Sequence, residues 1–255
     1  MNLPENPFKR ALAGHRRQLG AFLALADSHS TELMAAAGFD WLLIDWEHAP
    51  NDLRLVLAQL QALAGYPVAP VLRLPDHDAA RIKQVLDLGV QSLLAPMVDS
   101  AEQARALVAA MHYPPRGIRG VGAGMARAAR WGAVTDYYAK APGELCLAVQ
   151  IETRAGLDAL DAIATVDGVD GVFLGPADLA AALGHLGQPT HPEVRAAIEA
   201  ALPRIRAAGK AAGVYCADAQ IAADYAALGA SFFLIAADAI LLRTAAVAAI
   251  SRFQS

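Results

Sequence analysis

Two acidic side chains follow apolar runs of strand length in the second half of the chain. Glu152 comes directly after the run 145–151, and Asp178 follows the run 171–174 after a Gly-Pro turn. Because a fully buried strand reads as a continuous apolar run, an acid directly after one is expected to face something other than the core. If the two runs are neighbouring parallel strands, both carboxylates lie at the same end of the sheet and converge. Such a pair predicts a site for a hard divalent cation.

A histidine, an arginine and further acids follow earlier apolar runs. The sequence Asp-Trp-Glu-His-Ala-Pro-Asn at 45–51 places Asp45 and His48 after the second predicted strand. An acid that holds one imidazole nitrogen fixes the tautomer and raises the basicity of the ring, which predicts His48 as a general base oriented by Asp45. Arg73 ends the third strand, where its guanidinium needs an anionic partner. A substrate carboxylate, Asp45 or Glu47 could supply it.

Some of these side chains also have a purely structural interpretation. Asp178 could cap a helix over 179–183, and Asp238 could cap the last helix; capping is the favoured interpretation for Asp238. The other histidines lie in polar loops without a comparable setting, and we assign them to the surface. They are His15, His29, His77, His112, His185 and His191.

Short apolar runs alternate with amphipathic helical patterns along the whole chain. The runs predict eight strands, at 19–25, 41–45, 69–74, 92–95, 145–151, 171–174, 211–215 and 232–235. The patterns between them predict eight helices, at 31–37, 53–64, 79–88, 101–111, 155–165, 192–208, 219–228 and 239–253. Several of the helices end at a glycine, as helices that need a left-handed terminal residue do. The pattern predicts a single (β/α)8 barrel of the α/β class over residues 1–255, with a doubly wound open sheet as the alternative.

The active site of such a barrel lies at the carboxyl ends of the strands. Gln150, beside Glu152, and Tyr215, at the end of the seventh strand, are therefore expected at the same mouth. The long loop 112–140 is expected to lie over the mouth as a lid or to form a subunit contact. Its Arg127 could read a distal carboxylate of the substrate or form a salt bridge between subunits.

Composition excludes several kinds of partner. The chain has 255 residues, 56% of them hydrophobic, which is enough to bury a large core. Its 21 basic and 25 acidic residues give a net charge of -4 without a basic run, so nucleic acid is not an expected partner. The polar amino terminus and the lack of an apolar stretch of about 18 residues predict a soluble, cytoplasmic protein that does not enter a membrane. Cys146 and Cys216 are expected as reduced core residues.

Four ordered motifs resemble a known family. They are Asp-Trp-Glu-His-Ala-Pro-Asn at 45–51, Arg-Leu-Pro at 73–75, Gln-Ile-Glu-Thr at 150–153 and Leu-Gly-Pro-Ala-Asp-Leu at 174–179. Together they resemble the HpcH/HpaI aldolases, which are metal-dependent (class II) pyruvate aldolases, and the similarity covers nearly the whole chain. The resemblance implies a barrel of the phosphoenolpyruvate/pyruvate superfamily. It also implies reversible cleavage of 4-hydroxy-2-oxo acids to pyruvate, or hydroxypyruvate, and an aldehyde.

The same resemblance implies roles for the polar residues at the mouth. Glu152 and Asp178 would bind a divalent cation such as Mg²⁺, Mn²⁺ or Co²⁺. His48 and Asp45 would form a catalytic pair, and Arg73 would contact the pyruvyl oxygen. Lysines play no part in this scheme, as expected for a class II rather than a Schiff-base aldolase.

On the substrate side, the resemblance implies that the backbone around Ala177 receives the carboxylate. Trp46 and Tyr215 stand where many members carry smaller residues, so we expect them to reshape the pocket for the aldehyde, whose identity the sequence leaves open. The remaining residues expected to line the substrate pocket are Gln150, Gly175, Pro176 and Asp178.

Members of the family are typically hexamers in which a terminal helix is exchanged between protomers. The helix predicted at 239–253, almost wholly apolar on one side, is the candidate for that exchange. Two alternative functions use the same barrel. One is an oxaloacetate decarboxylase or another carbon–carbon lyase acting on a 2-oxo acid, and the other is a non-catalytic barrel that binds a 2-oxo acid.

Overall fold

The computed structural model describes residues 1–254, and these residues form a closed barrel of eight parallel strands. Each strand pairs with the next along the chain, and the eighth strand pairs with the first, so the open-sheet alternative is wrong. The predicted bounds of the second, fourth, sixth and seventh strands are confirmed, whereas the eighth strand is longer at both ends than predicted. The strands are β1 (Gln18–Leu23), β2 (Trp41–Asp45), β3 (Ala69–Arg73), β4 (Ser92–Ala95), β5 (Cys146–Ile151), β6 (Gly171–Leu174), β7 (Ala211–Tyr215) and β8 (Ala230–Ala237).

Twelve α-helices lie within residues 1–254, and three of them, Pro7–Ala13, Tyr137–Glu144 and Pro176–Ala182, are not among the eight predicted. These three have seven or eight residues each and contain prolines, so they are too short to show a clear helical period. The predicted helix 155–165 is two short helices that meet at Ala159. The helices are α1 (Pro7–Ala13), α2 (Ser28–Ala35), α3 (Leu53–Leu63), α4 (Ala79–Asp87), α5 (Ala101–Met111), α6 (Tyr137–Glu144), α7 (Arg154–Asp158), α8 (Leu160–Ala164), α9 (Pro176–Ala182), α10 (Pro192–Ala207), α11 (Ala219–Ala227) and α12 (Asp238–Ser251).

The amino end of the barrel is closed by α1 and by large aromatic side chains. The ring of Phe8 lies 5.0 Å from the ring of Trp41 and 5.9 Å from the ring of Phe232, measured between centroids. Strand glycines make room for these rings, because a Cβ on Gly20 would lie 2.4 Å from Trp41 and one on Gly213 would lie 2.4 Å from Phe232. With this end filled, the barrel is accessible from its carboxyl end.

Alternation along the strands decides which side chains reach the barrel interior. In β2, Leu42 and Ile44 pack in the outer core with the helices, and Trp41 and Leu43 pack in the inner core. Successive side chains of a strand point to opposite faces, so Asp45 continues the inward series at the carboxyl end. Cys146 and Ala148 likewise face inward in β5, which continues the inward series to Gln150 and then Glu152 beyond the strand end.

The long loop after α5 lies at the amino end of its own barrel, so the expectation of a lid over the mouth is wrong within one chain. Arg119 donates to Asp87 at the end of α4 (2.7 Å), and Arg127 donates to the carbonyl of Leu88 (2.7 Å). Helix α4 leads into β4, so its last residues lie at the amino end of the sheet. The loop also buries His112, which was predicted on the surface, because its backbone accepts from Arg119 as the chain turns back on α5.

Helix α12 leaves much of its apolar surface exposed. Ile240 and Leu242 are 60% and 62% exposed, and Val247 and Ile250 are about half exposed. The first residue, Asp238, is the buried residue of this helix. Among residues 1–254, none of the helices combines the length and apolar character that crossing a membrane requires.

Candidate active site

A cavity opens at the carboxyl ends of the strands. It brings together most of the residues that the sequence predicted for the site, from five strands and the loops that follow them. Those residues are His48, Arg73, Gln150, Gly175, Pro176, Ala177, Asp178 and Tyr215.

Arg73 is held in one orientation inside this mouth. Its Nε and Nη2 donate to the two carboxylate oxygens of Asp45 at 2.9 and 2.8 Å, and its Nη1 lies 3.0 Å from Oε2 of Glu47. The guanidinium carbon lies 5.0 Å from the centre of the Phe22 ring. Burial alone would lower the pKa of Arg73, but the hydrogen bonds and charge of Asp45, followed by the charges of Glu47 and Glu152, raise it. The side chain is therefore a fixed positive charge with donors left over for a ligand.

The predicted contact between Asp45 and the imidazole of His48 is not formed. Both carboxylate oxygens of Asp45 bind Arg73, and one of them also accepts from the backbone N–H groups of Glu47 (3.1 Å) and His48 (3.4 Å). Nε2 of His48 lies instead 3.8 Å from Oε2 of Glu47. Asp45 thus holds the backbone turn that carries His48, while the carboxylate of Glu47 faces the imidazole ring. The His48 side chain is 66% exposed and can reach a molecule in the cavity.

Glu152 is buried, with 2% of its surface exposed, and it lies among other acids. Its Oε1 accepts from the backbone N–H of Met97 (2.8 Å), and its Oε2 accepts from the side-chain amide of Gln150. Burial raises the pKa of Glu152 to about 7, and the negative charges of Asp178 and Glu47 act in the same direction. The hydrogen bonds from Met97 and Gln150 only partly oppose that rise.

Asp178 also lies at the mouth, because Gly175 allows the chain that follows β6 to pass close to the carboxylate of Glu152. A Cβ on Gly175 would lie 2.5 Å from Oε2 of Glu152 and 2.9 Å from Nε2 of Gln150. Helix α9 begins at Pro176 with Gly175 as its cap residue, so Asp178 lies in the first turn. The alternative in which Asp178 caps a helix over 179–183 is therefore wrong, because the helix begins earlier.

The residues at the mouth fit a divalent cation. Three carboxylates, from Glu47, Glu152 and Asp178, act on one another electrostatically here. Burial also raises the pKa of Glu47, with the charges of Asp45 and Asp178 adding to the effect and those of Arg73 and His48 opposing it. Carboxylate oxygens are suitable ligands for hard divalent ions. A bound cation would also offset the repulsion between the acids, which contributes to the raised pKa values of Glu47 and Glu152.

Several residues of the mouth are not among the site residues predicted from the sequence. Glu47 is predicted only as a possible partner for Arg73, and Phe22 lies next to the carboxyl end of the first strand, where the sequence predicts no site residue. Ile240 reaches the cavity because the eighth strand leads directly into the last helix. The carboxyl ends of the first and last strands were the available signal, since every strand of a closed barrel borders the mouth.

Three other predicted positions have different surroundings. Trp46 lies outside the barrel beside Arg81, whose guanidinium carbon is 5.5 Å from the indole ring, so it does not line this cavity. Arg127 lines a separate cavity at the amino end, so within one chain it cannot read a substrate in the mouth. Asp238 is the first residue of α12 rather than its cap; it accepts from the backbone N–H groups of Ala24 (2.8 Å) and Leu25 (3.1 Å), which joins the last helix to the loop after β1.

Known proteins resemble the chain over nearly its whole length. A profile of the HpcH/HpaI aldolase/citrate lyase family matches residues 18–245. A protein of Deinococcus radiodurans named hydroxypyruvate/pyruvate aldolase is 61% identical over 241 residues, covering 94% of this chain and 87% of its own. A 4-hydroxy-2-oxo-heptane-1,7-dioate aldolase of Escherichia coli is 54% identical over 249 residues, covering 98% of this chain and 95% of its own.

Among solved structures, an HpcH/HpaI aldolase/citrate lyase family protein from Burkholderia cenocepacia J2315 matches with a TM-score of 0.94 at 38% identity. The match covers 98% of this chain and 100% of that one. An HpcH/HpaI aldolase from Desulfitobacterium hafniense matches with a TM-score of 0.89 at 28% identity, covering 97% of this chain and 96% of its own. Motifs, barrel and relatives agree, and the chain belongs to the HpcH/HpaI aldolase/citrate lyase family.

Proposed function

We propose that this chain is a class II aldolase that reversibly cleaves 4-hydroxy-2-oxo acids to pyruvate, or hydroxypyruvate, and an aldehyde. The names of its relatives, hydroxypyruvate/pyruvate aldolase and 4-hydroxy-2-oxo-heptane-1,7-dioate aldolase, support this carbon–carbon lyase reaction. The observation that carries the proposal is the convergence of acids, a fixed guanidinium and an accessible imidazole in one cavity.

Glu152 and Asp178 would hold the divalent cation, for which Mg²⁺, Mn²⁺ and Co²⁺ are the candidates. When bound, such an ion supplies positive charge that stabilises the enolate form of a 2-oxo acid. Two protein carboxylates leave coordination positions free for the substrate and water. Gln150 would keep the Glu152 carboxylate in place through its amide hydrogen bond.

Arg73 would stabilise the negative charge that develops on the keto oxygen of the substrate. Its bonds to Asp45 and its contact with Phe22 fix the guanidinium before the substrate arrives. Preorganised charges of this kind stabilise a transition state without reorganising during the reaction. The backbone of Gly175 to Ala177 would receive the substrate carboxylate, since these residues line the cavity beside Asp178.

His48 would exchange the proton of the C4 hydroxyl group. In cleavage the imidazole takes this proton, the C3–C4 bond breaks, and its electron pair passes into the enolate of the 2-oxo acid while C4 becomes the aldehyde carbon. Protonation at C3 then gives pyruvate, and in synthesis the same steps run in reverse. Glu47, 3.8 Å from Nε2 of His48, would stabilise the protonated ring.

The aldehyde would bind against the more apolar side of the cavity. The rings of Phe22 and Tyr215 lie 6.0 Å apart there, and Ile240 completes the wall. Tyr215 offers a hydroxyl group at this wall, so the acceptor class is a small aldehyde with an apolar or hydroxylated chain.

The function is tested by measuring pyruvate release from 4-hydroxy-2-oxo acids with EDTA present and after Mg²⁺, Mn²⁺ or Co²⁺ is added back. We expect activity that EDTA removes and the added ion restores. Activity that is insensitive to EDTA, or no cleavage of any 4-hydroxy-2-oxo acid, would refute the proposal. Offering a panel of aldehydes with either pyruvate or hydroxypyruvate in the synthetic direction then identifies the preferred donor and acceptor.

The single barrel domain would assemble into a hexamer through exchange of α12, in a cytoplasmic enzyme. The exposed apolar face of α12, with Leu242 62% and Val247 49% exposed, supports a partner for this helix. Light scattering of the full chain tests the assembly: we expect six chains in the wild type and a smaller species in the Leu242→Glu variant. The Arg243→Glu variant changes charge on the same exposed helix and is the matched control. A wild-type monomer would contradict the assembly but leave the aldolase proposal intact.

A further inference from the structure

Three side chains outside the barrel mouth form a compact cluster that the aldol reaction does not use. The imidazole rings of His185 and His191 stack with centroids 3.5 Å apart and planes 17° from parallel. Nε2 of His185 lies 2.7 Å from Oε2 of Glu193. One ring nitrogen of each histidine and a carboxylate oxygen of Glu193 all lie within 4.8 Å of one another.

The backbone fixes part of this cluster and leaves part of it adjustable. His191 caps α10, and its Nδ1 accepts from the backbone N–H of Glu193 at 3.3 Å, which leaves Nε2 available to a ligand. His185 follows α9 in a turn between Gly184 and Gly187, both of which have positive φ angles, of 92° and 80°. Glycine tolerates this conformation without strain, so the turn that carries His185 has room to adjust.

We propose that His185, His191 and Glu193 form a second metal site, selective for a zinc-like divalent ion. Two imidazole nitrogens and one carboxylate oxygen are a common donor set for Zn²⁺, whereas Mg²⁺ prefers oxygen ligands alone. The ion would replace the hydrogen bond between His185 and Glu193. It must lie near the plane of both rings, so binding requires the stacked rings to turn apart.

The charge of the cluster suits a cation. Glu193 adds a carboxylate to two imidazoles, so the donor set carries one negative charge when both rings are neutral. The cluster faces solvent, since His185 is 23% and Glu193 55% exposed in their side chains, so an ion can enter.

The location gives the ion a structural consequence. Helix α9 carries Asp178 in its first turn and ends at Ala182, and α10 begins at Pro192. An ion bound by His185, His191 and Glu193 would join the turn after α9 to the first turn of α10. It would therefore resist unfolding of the segment that follows Asp178.

Zinc titration of a chain in which the barrel mouth is disabled tests the site. The Glu152→Gln, Asp178→Asn double variant removes the two carboxylates proposed to hold the cation at the mouth, and the loss of zinc binding on changing His185 in this background then reports on the histidine cluster. In this background His185→Phe keeps an aromatic ring for the stack but removes a ligand. His29→Phe removes an isolated surface histidine and is the matched control. Circular dichroism and the melting temperature without metal confirm that each variant is folded.

We expect the double variant to bind one Zn²⁺ per chain and to melt at a higher temperature when the ion is present. His185→Phe should weaken Zn²⁺ binding by at least about tenfold, since loss of even an outer-shell partner typically costs 10–100-fold. His29→Phe should leave Zn²⁺ binding unchanged. Equal Zn²⁺ affinity in the His185→Phe and His29→Phe variants would overturn the proposal, and so would no binding to the double variant. Either result is independent of whether the barrel mouth binds a metal.

Discussion

Replacing Glu152 with glutamine should stabilise the metal-free enzyme although it abolishes catalysis. The carboxyl group is buried beside Asp178 and Glu47, and its pKa is about 7 instead of 4.5. At about 1.4 kcal/mol for each pH unit, keeping this group ionised at neutral pH costs the fold about 3 kcal/mol. Glu152→Gln removes that charge and keeps the shape of the side chain.

Hydrogen bonding reduces the expected gain but does not cancel it. The new amide oxygen can still accept from the N–H of Met97, the present partner of Oε1. The new amide nitrogen would face Nε2 of Gln150, and two donors cannot hydrogen-bond each other. The Gln150 amide must therefore rotate so that its oxygen, which is buried without a partner in the wild type, accepts from the new N–H group. That rotation buries an N–H group of Gln150, so we expect a net gain of about 1 to 3 kcal/mol in the free energy of unfolding.

The pH dependence gives the sign of the effect. Glu152 has a higher pKa in the folded chain than in the unfolded chain, so the unfolded state loses its proton first as the pH rises. The wild type therefore loses stability between about pH 4.5 and pH 7, and Glu152→Gln does not. The advantage of the variant should be fully present near pH 8 and fall below about 1 kcal/mol near pH 5.

Urea unfolding in EDTA at the two pH values measures this difference. The Glu102→Gln variant is the control, because it removes a carboxylate that is exposed to solvent. If Glu152→Gln is no more stable than this control near pH 8, the buried charge does not destabilise the fold. If its advantage is the same at both pH values, the cause is packing rather than ionisation. Isothermal titration with Mn²⁺ should show in parallel that the variant has lost the metal.

Three further substitutions separate the roles at the mouth. His48→Gln should lower kcat by about 10²- to 10⁴-fold through loss of the general base; a parallel loss of Mn²⁺ affinity in a titration would place His48 in the metal site instead. Arg73→Lys should lower kcat/KM by about 10²- to 10³-fold, because lysine cannot keep the bidentate geometry; unchanged steady-state kinetics would exclude the guanidinium from catalysis. Gly175→Ala should abolish both metal binding and turnover, since its Cβ would lie 2.5 Å from Glu152, whereas Gly143→Ala, with open space around it, should leave both intact. An active Gly175→Ala enzyme would show that the close approach of β6 is dispensable.

The amino-acid sequence by itself determined the order of strands and the side chains that follow them. Short apolar runs that alternate with helical patterns predicted eight strands, because a strand covered on both faces must be apolar throughout. The rule that a barrel binds ligands at the carboxyl ends of its strands then placed Glu152, Asp178 and Arg73 at one mouth, where the structure has them. The four ordered motifs also predicted the family, and the comparisons confirmed it.

Tertiary structure decided which side chain pairs with which. Asp45 and His48 are close in sequence, but the carboxylate binds Arg73 on the neighbouring strand, because parallel pairing sets residue 45 directly opposite residue 73. Because both carboxylate oxygens of Asp45 bind the guanidinium of Arg73, the imidazole of His48 faces Glu47 instead. Spacing along the chain cannot reveal this competition, since it depends on how adjacent strands are aligned.

The same reason explains the other differences. Arg127 lies at the amino end because its loop packs against α4, and Gly175 is required because β6 passes close to Glu152. The histidine cluster forms because the turn after α9 brings His185 back onto His191 and Glu193 at the start of α10. The sequence determined which chemical groups stand at strand ends, since periodic burial is a local property. The fold alone decided their partners, because contacts between distant segments depend on the packing of the whole barrel.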